Sequence, residues 1–153
     1  MIPTGRIYSS ISCAEEGNIL WTDRFPSQIN VLSTNAFMTA AAMTDGSLYI
    51  LQSKCGRRLL PCIELGCELA ILECSPKSSP FLLAICTDGQ IRVWNVYTQQ
   101  ALLTDRIDAV LTGPVSIDEA GDSHATVNSI VRSRVSSAGQ PFITISIVDK
   151  VCH

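Results

Sequence analysis

Short apolar runs separated by polar turns are the dominant pattern along this chain. In the clearest example, the run Phe81–Cys86 meets Thr87-Asp88-Gly89 and a second run, Ile91–Val96, follows. A polar turn at Tyr97–Gln100 and a third run at Ala101–Leu103 come next. Because glycine accepts the positive φ of tight hairpin turns, Asp-Gly between two β-rich runs predicts a β-hairpin. Strand, tight turn, strand, polar turn and strand make up most of a four-stranded blade of the WD type.

The same arrangement recurs earlier in the chain. Thr44-Asp45-Gly46 lies 43 residues before its counterpart and stands between the apolar runs Phe37–Met43 and Leu48–Leu51. A second echo relates Trp21-Thr22-Asp23-Arg24-Phe25 to Leu103-Thr104-Asp105-Arg106-Ile107, 82 residues further on. Since WD-type blades span about 40–45 residues, these spacings correspond to one and nearly two blade periods.

The predicted fold class is therefore all-β, with about three WD40-like β-propeller blades in an open or partial propeller. The whole chain, 1–153, is expected to be a single propeller-like fragment. Its predicted blade units are 1–25, 28–66, 67–111 and 112–153. The last unit is expected to begin with a long, polar loop at 112–135, holding at most one short strand or helix.

Two details refine this prediction. Arg58–Leu65 is expected to be an outer edge strand, because Pro61 lacks a backbone donor, and another blade unit is expected to start at Asp108–Leu111. Closed propellers need at least about four blades. The chain is therefore expected to be part of a larger propeller-like region, or to have its open strand edges covered by another chain.

Composition narrows the function classes. Charged residues make up only 16% of the chain, against roughly 25% in a typical domain. This scarcity favours many buried strands, or apolar surface that a partner or a missing part of the chain covers. With a net charge of −3 and Arg57-Arg58 as the only adjacent basic pair, direct nucleic-acid binding is not expected. The absence of a signal peptide and of a long apolar run argues against secretion and membrane spanning.

The seven cysteines do not have the spacing of a metal site. No pair has C-x-x-C spacing, and only two histidines are present, so no metal and no cofactor are predicted. Most of the cysteines lie in apolar runs and are interpreted as buried, reduced thiols of an intracellular protein. They are Cys13, Cys55, Cys62, Cys67, Cys74, Cys86 and Cys152.

No catalytic residues and no small-molecule substrate are predicted. The chain lacks the G-x-S-x-G, H-E-x-x-H, Walker and G-x-G-x-x-G patterns. Trp21 and Trp94 are interpreted as blade-packing residues. Arg57 and Arg58 are the candidate contacts for an acidic partner surface, with a solvated strand edge as the alternative.

Three stretches carry a family resemblance: Ser53–Pro61 (SKCGRRLLP), Ile91–Val96 (IRVWNV) and Gly139-Gln140-Pro141-Phe142. Together they resemble the conserved C-terminal region of the HIRA family of histone-chaperone subunits, over about residues 28–150. In that family the first segment closes one blade-like unit and the second lies in the next. The chain departs from the family pattern at Asn95, which replaces the usual Asp, and in Thr112–Val135.

The resemblance implies a nuclear complex that deposits a histone H3 variant independently of DNA replication and represses transcription. The region matched is expected to be a protein-interaction scaffold that self-associates or binds another subunit of the complex. Two alternatives remain open at this point. One is a WD-repeat adaptor outside chromatin; the other is a propeller enzyme or ligand-binding domain with a site in its central funnel.

Overall fold

In a computed structural model, residues 9–107, 112–117 and 123–152 are described, and their regular elements are all β-strands. The strands are β1 (Ser9–Glu15), β2 (Asn18–Phe25), β3 (Ile29–Thr34), β4 (Met38–Met43), β5 (Ser47–Gln52), β6 (Ile63–Glu64), β7 (Leu69–Cys74), β8 (Phe81–Cys86), β9 (Gln90–Asn95), β10 (Gln100–Arg106), β11 (Thr112–Ile117), β12 (Ser123–Val135) and β13 (Pro141–Cys152). Within these ranges no helix is long and apolar enough to cross a membrane. The stretch Asp108–Leu111, predicted to start another blade unit, lies outside the described residues.

The strands form four antiparallel sheets, each made of consecutive strands. Sheet A contains β1 and β2, sheet B runs β3-β4-β5-β6, sheet C runs β7-β8-β9-β10, and sheet D runs β11-β12-β13. Up-and-down sheets of up to four strands are the building units of a propeller. The predicted fold class, all-β with propeller-like blades in an open fragment, is confirmed.

The two central hairpins repeat with the predicted period. Strands β4 and β5 have the bounds of β8 and β9 shifted by 43 residues. Both turns hold a glycine at positive φ, +87° at Gly46 and +88° at Gly89. In each turn the aspartate accepts a hydrogen bond from the amide two residues later, at 3.0 Å for both Asp45 and Asp88. The Asp-Gly signal therefore specifies the same closed turn twice, because the aspartate side chain satisfies a backbone donor inside it.

The prediction of a long loop at 112–135 is wrong. Most of that range is strand, β11 and the thirteen-residue β12. Strand β12 pairs with β13 from Ser123↔Cys152 to Val135↔Pro141, with one bulge at Ile130/Arg132. The segment is polar and lacks clean alternation, which is why its sequence suggests a loop. Strand β13 is rich in β-forming residues, and pairing with it supplies the backbone hydrogen bonds of β12. The sequence of β12 by itself does not indicate this pairing.

Pro61 interrupts the outer strand of sheet B rather than lying inside it. The predicted strand Arg58–Leu65 is reduced to an isolated bridge, Leu51↔Arg58, and the two-residue β6, which is the edge of its sheet. Pro61 falls between these two paired stretches, where its missing N–H leaves no ladder bond unmade.

Each central sheet is buried on both faces. In β4, Met38, Ala40 and Ala42 pack toward sheet C, whereas Ala41 and Met43 pack toward sheet A. In β8, Leu82, Ala84 and Cys86 pack toward sheet B, whereas Leu83 and Ile85 pack toward sheet D. Because successive side chains point to opposite faces, both sets must be apolar when a sheet is covered on both sides. This explains the unbroken apolar runs and the low content of charged residues.

Polar side chains link sheet B to sheet C at the turns that follow their first strands. The Asn35 side-chain amide donates to the carbonyl oxygens of Ser75 (2.8 Å) and Ser79 (2.9 Å). Its side-chain oxygen accepts from the amides of Phe37 and Met38, each at 2.9 Å. Such bonds fix the relative position of the two sheets, which apolar packing alone specifies loosely.

Candidate interaction surface

The segment Gly56–Pro61, which carries the family resemblance, lies where sheet A packs against sheet B. It folds back along β5 as a narrow, irregular hairpin. The Gln52 amide donates to the Arg57 carbonyl (2.7 Å), and the Leu59 amide donates to the Ile50 carbonyl (2.8 Å). These bonds hold the segment against the side of sheet B that faces sheet A.

Trp21, on β2, covers the start of this segment. Its indole N–H donates to the Ser53 carbonyl at 2.9 Å. Gly56 has a φ of +70°, and a Cβ placed on it would lie 2.5 Å from Cδ2 of the Trp21 ring. Only a glycine satisfies both the backbone conformation and the contact with the ring. The predicted blade-packing residue Trp21 thus lies between sheet A and sheet B.

Arg58 is clamped between the two sheets. Its guanidinium carbon lies 4.9 Å from the centre of the Tyr49 ring and 5.5 Å from that of the Phe25 ring. Its Nε lies 3.2 Å from a carboxylate oxygen of Asp23 on β2. The Arg58 side chain is 46% exposed, so solvent weakens the ion pair. The aromatic contacts therefore provide most of the stabilisation that Arg58 contributes. Arg58 therefore connects sheet A to sheet B through contacts within the same chain.

Arg57 differs from Arg58 in its contacts. Its side chain is exposed, and within the described part of the chain no hydrogen bond or ion pair engages it. The structure thus separates the predicted pair. Arg58 contacts Asp23, Phe25 and Tyr49. The Arg57 guanidinium is available to bind an acidic group on a partner.

Trp94 lies on β9 and packs, half-buried, against the core between sheets B and C. It also lines an open groove of 480 Å³ at the outer side of these sheets, together with Leu60, Pro61 and Gln99. The two tryptophans therefore occupy comparable positions, each at the boundary between one sheet and the next.

A second groove, of 620 Å³, opens along the first strands of sheets B and C and against β12. It is the place where the alternative, a ligand-binding funnel, would have its site. Its apolar lining includes Leu32, Ile71 and Ile130, and its charged groups are Glu73, Arg132 and Arg134. These charges are on side chains at a wide mouth rather than converging in an enclosed pocket, so the groove does not resemble a reaction site.

The two outermost sheets are incomplete in the described residues. Sheet A has two strands, with β1 pairing only with β2, and sheet D has three, with β13 pairing only with β12. The central sheets have four strands each. The free sides of β1 and β13 therefore present backbone donors and acceptors to whatever lies beside them.

The sequence did not reveal the partners of Arg58. Asp23 and Phe25 stand in the repeated Trp-Thr-Asp-Arg-Phe stretch, which was noted for its spacing alone. The stretch did contain a signal that pointed to Asp23. In both copies of the repeat an Asp directly precedes an Arg on an outer strand. In both copies, Asp23 and Asp105, the carboxylate accepts from the next amide at 2.8 Å.

Comparisons with known proteins agree with the geometry. The family model described as "Hira: TUP1-like enhancer of split" matches residues 56–150. Protein HIRA of Oryza sativa subsp. japonica is 28% identical over 150 residues, which cover 95% of this chain and 15% of that protein. Protein hir1 of Schizosaccharomyces pombe is 31% identical over 137 residues, covering 89% of this chain and 14% of that protein. The chain thus spans about one seventh of the length of these relatives.

Solved structures support the fold. The crystal structure of HIRA(644-1017) matches 94% of this chain and 48% of its own, with a TM-score of 0.61 and 18% sequence identity. BamB from Moraxella catarrhalis matches 86% of this chain and 42% of its own, with a TM-score of 0.59 and 14% identity. At these identities the likeness concerns the fold alone.

Proposed function

The chain belongs to the Hira family, and from that premise we propose that it is a non-catalytic interaction module of a nuclear histone-chaperone complex. In this proposal the complex deposits a histone H3 variant independently of DNA replication and contributes to transcriptional repression. The module holds the complex together, by self-association or by binding another subunit. This interaction role itself requires no cofactor, no small-molecule substrate and no direct contact with nucleic acid.

The observation that carries the proposal is the pair of incomplete sheets at the two ends of the array. Strands β1 and β13 each have one unpaired side in the described residues. An exposed strand edge binds another chain by main-chain hydrogen bonds, with side chains at alternate positions giving specificity. A second copy, another subunit or further blades of the same protein would each satisfy these edges.

Exposed apolar side chains next to these edges also support binding of a protein partner. Ile19 is 68% exposed and Leu20 is 52% exposed on β2, while Phe142 is 58% exposed on β13. Large apolar side chains on a sheet margin are typical of surfaces that a partner covers. The net charge of −3 makes a phosphate backbone an unsuitable partner for this part of the chain.

Arg57 is proposed to add a charged contact to this surface. Changing Arg57 to Glu should weaken capture of the other chaperone subunits from nuclear extract by about tenfold, since a reversed rim charge typically costs on the order of 1 kcal/mol or more. It should leave the free energy of unfolding within about 0.5 kcal/mol of the wild-type value, because its side chain is exposed and unpaired. Immobilised chain and quantitative mass spectrometry of the captured subunits provide the measurement.

Lys77→Glu is the matched control, because Lys77 is also an exposed cation but lies in the β7–β8 turn of sheet C, outside the Gly56–Pro61 segment and outside sheets A and D. It should capture the subunits as the wild type does. Light scattering on the purified chain gives its mass in parallel. A chain that stays monomeric and retains no histone-chaperone subunit would contradict the proposal, and capture of cytoplasmic proteins alone would favour an adaptor outside chromatin.

A further inference from the structure

Two cysteines that are 19 positions apart in the chain come together beside an aspartate at one end of sheet C. Cys67 lies in the loop before β7, Cys86 ends β8, and Asp88 lies in the β8–β9 turn. The two Sγ atoms and a carboxylate oxygen of Asp88 all lie within 4.8 Å of one another. Cys86 is buried, Cys67 is half-buried and Asp88 is exposed, so the group opens to solvent on the aspartate side.

We propose that Cys67, Cys86 and Asp88 bind one Zn²⁺ ion, with a water molecule at the fourth, solvent-facing position. This inference does not depend on the chromatin role. The sequence argued against zinc because no two cysteines have close-pair spacing. The sheet supplies the proximity instead, since the loop before one strand and the end of the next strand meet at the same end of the sheet.

The donor set has the chemistry of a zinc site. Two thiolates and one carboxylate suit a borderline-soft ion such as Zn²⁺, whereas Mg²⁺ and Ca²⁺ prefer oxygen ligands alone. In a tetrahedral zinc site neighbouring ligand atoms are roughly 3.3–3.8 Å apart. The three ligand atoms lie within 4.8 Å of one another, so shifts of at most about 1–1.5 Å in the exposed turn and the loop bring them to these distances.

The carboxylate is already oriented for this role. One oxygen of Asp88 accepts a hydrogen bond from the Gln90 amide at 3.0 Å, and no side chain or backbone amide of the described residues bonds to the second oxygen. Outer hydrogen bonds of this kind fix the orientation of a ligating side chain. The arrangement comes from the Asp-Gly turn itself, which closes the hairpin with the same bond.

A neighbouring cation balances the charge of the site. Two thiolates and a carboxylate carry −3, so a bound Zn²⁺ would leave a net charge of −1. The Arg92 guanidinium acts on Cys86 and favours its thiolate, and Arg92 Nε is buried with no hydrogen-bond acceptor. A metal-bound thiolate at Cys86 would place an anionic acceptor in that neighbourhood, where the protonated thiol offers a poor one.

Burial is the main cause that raises the pKa of the Cys86 thiol to about 12, and Cys67 and Asp88 add to it. Zinc binding would therefore release the Cys86 thiol proton to solvent, and affinity should rise with pH.

The preceding repeat provides an internal comparison. The Thr44 amide donates to the Gln28 carbonyl, and the Thr87 amide donates to the Glu68 carbonyl, both at 2.9 Å. By this correspondence Ser27, Met43 and Asp45 occupy the places of Cys67, Cys86 and Asp88. There the Ser27 hydroxyl lies 3.3 Å from the Thr44 hydroxyl, and Met43 has no thiol to ligate zinc. The turn is thus stable without metal, and the two thiols are specific to the second copy.

Cobalt substitution tests the site on the full, untagged 153-residue chain, reduced and kept free of oxygen. One Co²⁺ per chain should produce thiolate-to-metal absorption, and one equivalent of Zn²⁺ should displace it. Cys67→Ser and Asp88→Asn should each bind zinc at least about 100-fold more weakly, because loss even of an outer contact costs 10–100-fold. Circular dichroism of both variants should match that of the wild type, since Cys67 is in a loop and Asp88 in an exposed turn.

Cys55→Ser and Asp45→Asn are the matched controls and should bind as the wild type does. Cys55 is an exposed thiol, and Asp45 holds the equivalent turn in the preceding repeat. Equal affinity in all variants would overturn the site, because the ion would then bind elsewhere. A reduced wild-type chain with no thiolate-to-cobalt absorption would also overturn it, whether or not the two cysteines form a disulfide after oxidation.

Discussion

Replacing Phe25 with alanine should lower the free energy of unfolding by about 3–5 kcal/mol, the largest effect expected for a single change in this chain. Phe25 is fully buried. Its ring centre lies 4.9 Å from that of Tyr49 and 5.5 Å from the Arg58 guanidinium. The change removes a ring from the core between sheets A and B and also removes one of the two aromatic rings that contact Arg58. The loss should be large because the remaining cavity cannot collapse under a paired strand. Urea unfolding followed by tryptophan fluorescence measures the loss.

Phe142→Ala is the matched control, because it removes the same atoms from a side chain that is 58% exposed. It should lower the free energy of unfolding by less than about 1 kcal/mol, because an exposed side chain contributes little buried apolar area. Similar costs for the two variants would mean that sheet A does not pack on sheet B through Phe25, and the description of that core would be wrong.

Gly56→Ala should destabilise the chain by about 2–5 kcal/mol, through two effects that act together. The φ of +70° at Gly56 is unfavourable for any residue with a Cβ, and that Cβ would lie 2.5 Å from Cδ2 of Trp21. Either the Trp21 ring moves and loses its 2.9 Å hydrogen bond to the Ser53 carbonyl, or the hairpin at Gly56 shifts. The same urea measurement applies.

Gly66→Ala separates these two effects. Gly66 also has a positive φ, +73°, but a Cβ there would meet nothing within 4 Å. It should therefore cost only the backbone part, about 1–2 kcal/mol. In a chain already carrying Trp21→Ala, the cost of Gly56→Ala should fall to the Gly66 level, because the ring is gone. An unchanged cost in that background would show that the contact with Trp21 is not the cause.

Much of the fold could be predicted from the sequence because its strongest signals are local. Asp45-Gly46 and Asp88-Gly89 determine two hairpins, and their 43-residue separation reveals the repeat. Strand β12 could not be predicted in the same way. Its pairing with β13 joins positions as far apart as Ser123 and Cys152, and its polar composition resembles that of a loop until the partner strand is in place.

The candidate surface was predicted only in part, for a related reason. Arg57 and Arg58 are adjacent and identical in the sequence, yet successive residues of an extended segment point in opposite directions. Only the position of sheet A shows that Arg58 meets Asp23 and that Arg57 does not. The neighbourhood of Cys67 and Cys86 is likewise a product of sheet packing, which no spacing rule for cysteines describes.

Hydrogen exchange at the strand edges, combined with the mass from light scattering, tests the central claim most directly. That claim is our proposal that the chain is an interaction module whose β1 and β13 edges bind another chain. Outward-facing amides of β1 and β13 should exchange rapidly in the dilute chain, whereas those of β4 and β8 should be protected, because these strands are paired and buried on both sides. Adding the captured subunits, or raising the concentration until the mass increases, should slow exchange at β1 or β13. A monodisperse monomer with fully protected edge amides would contradict the claim.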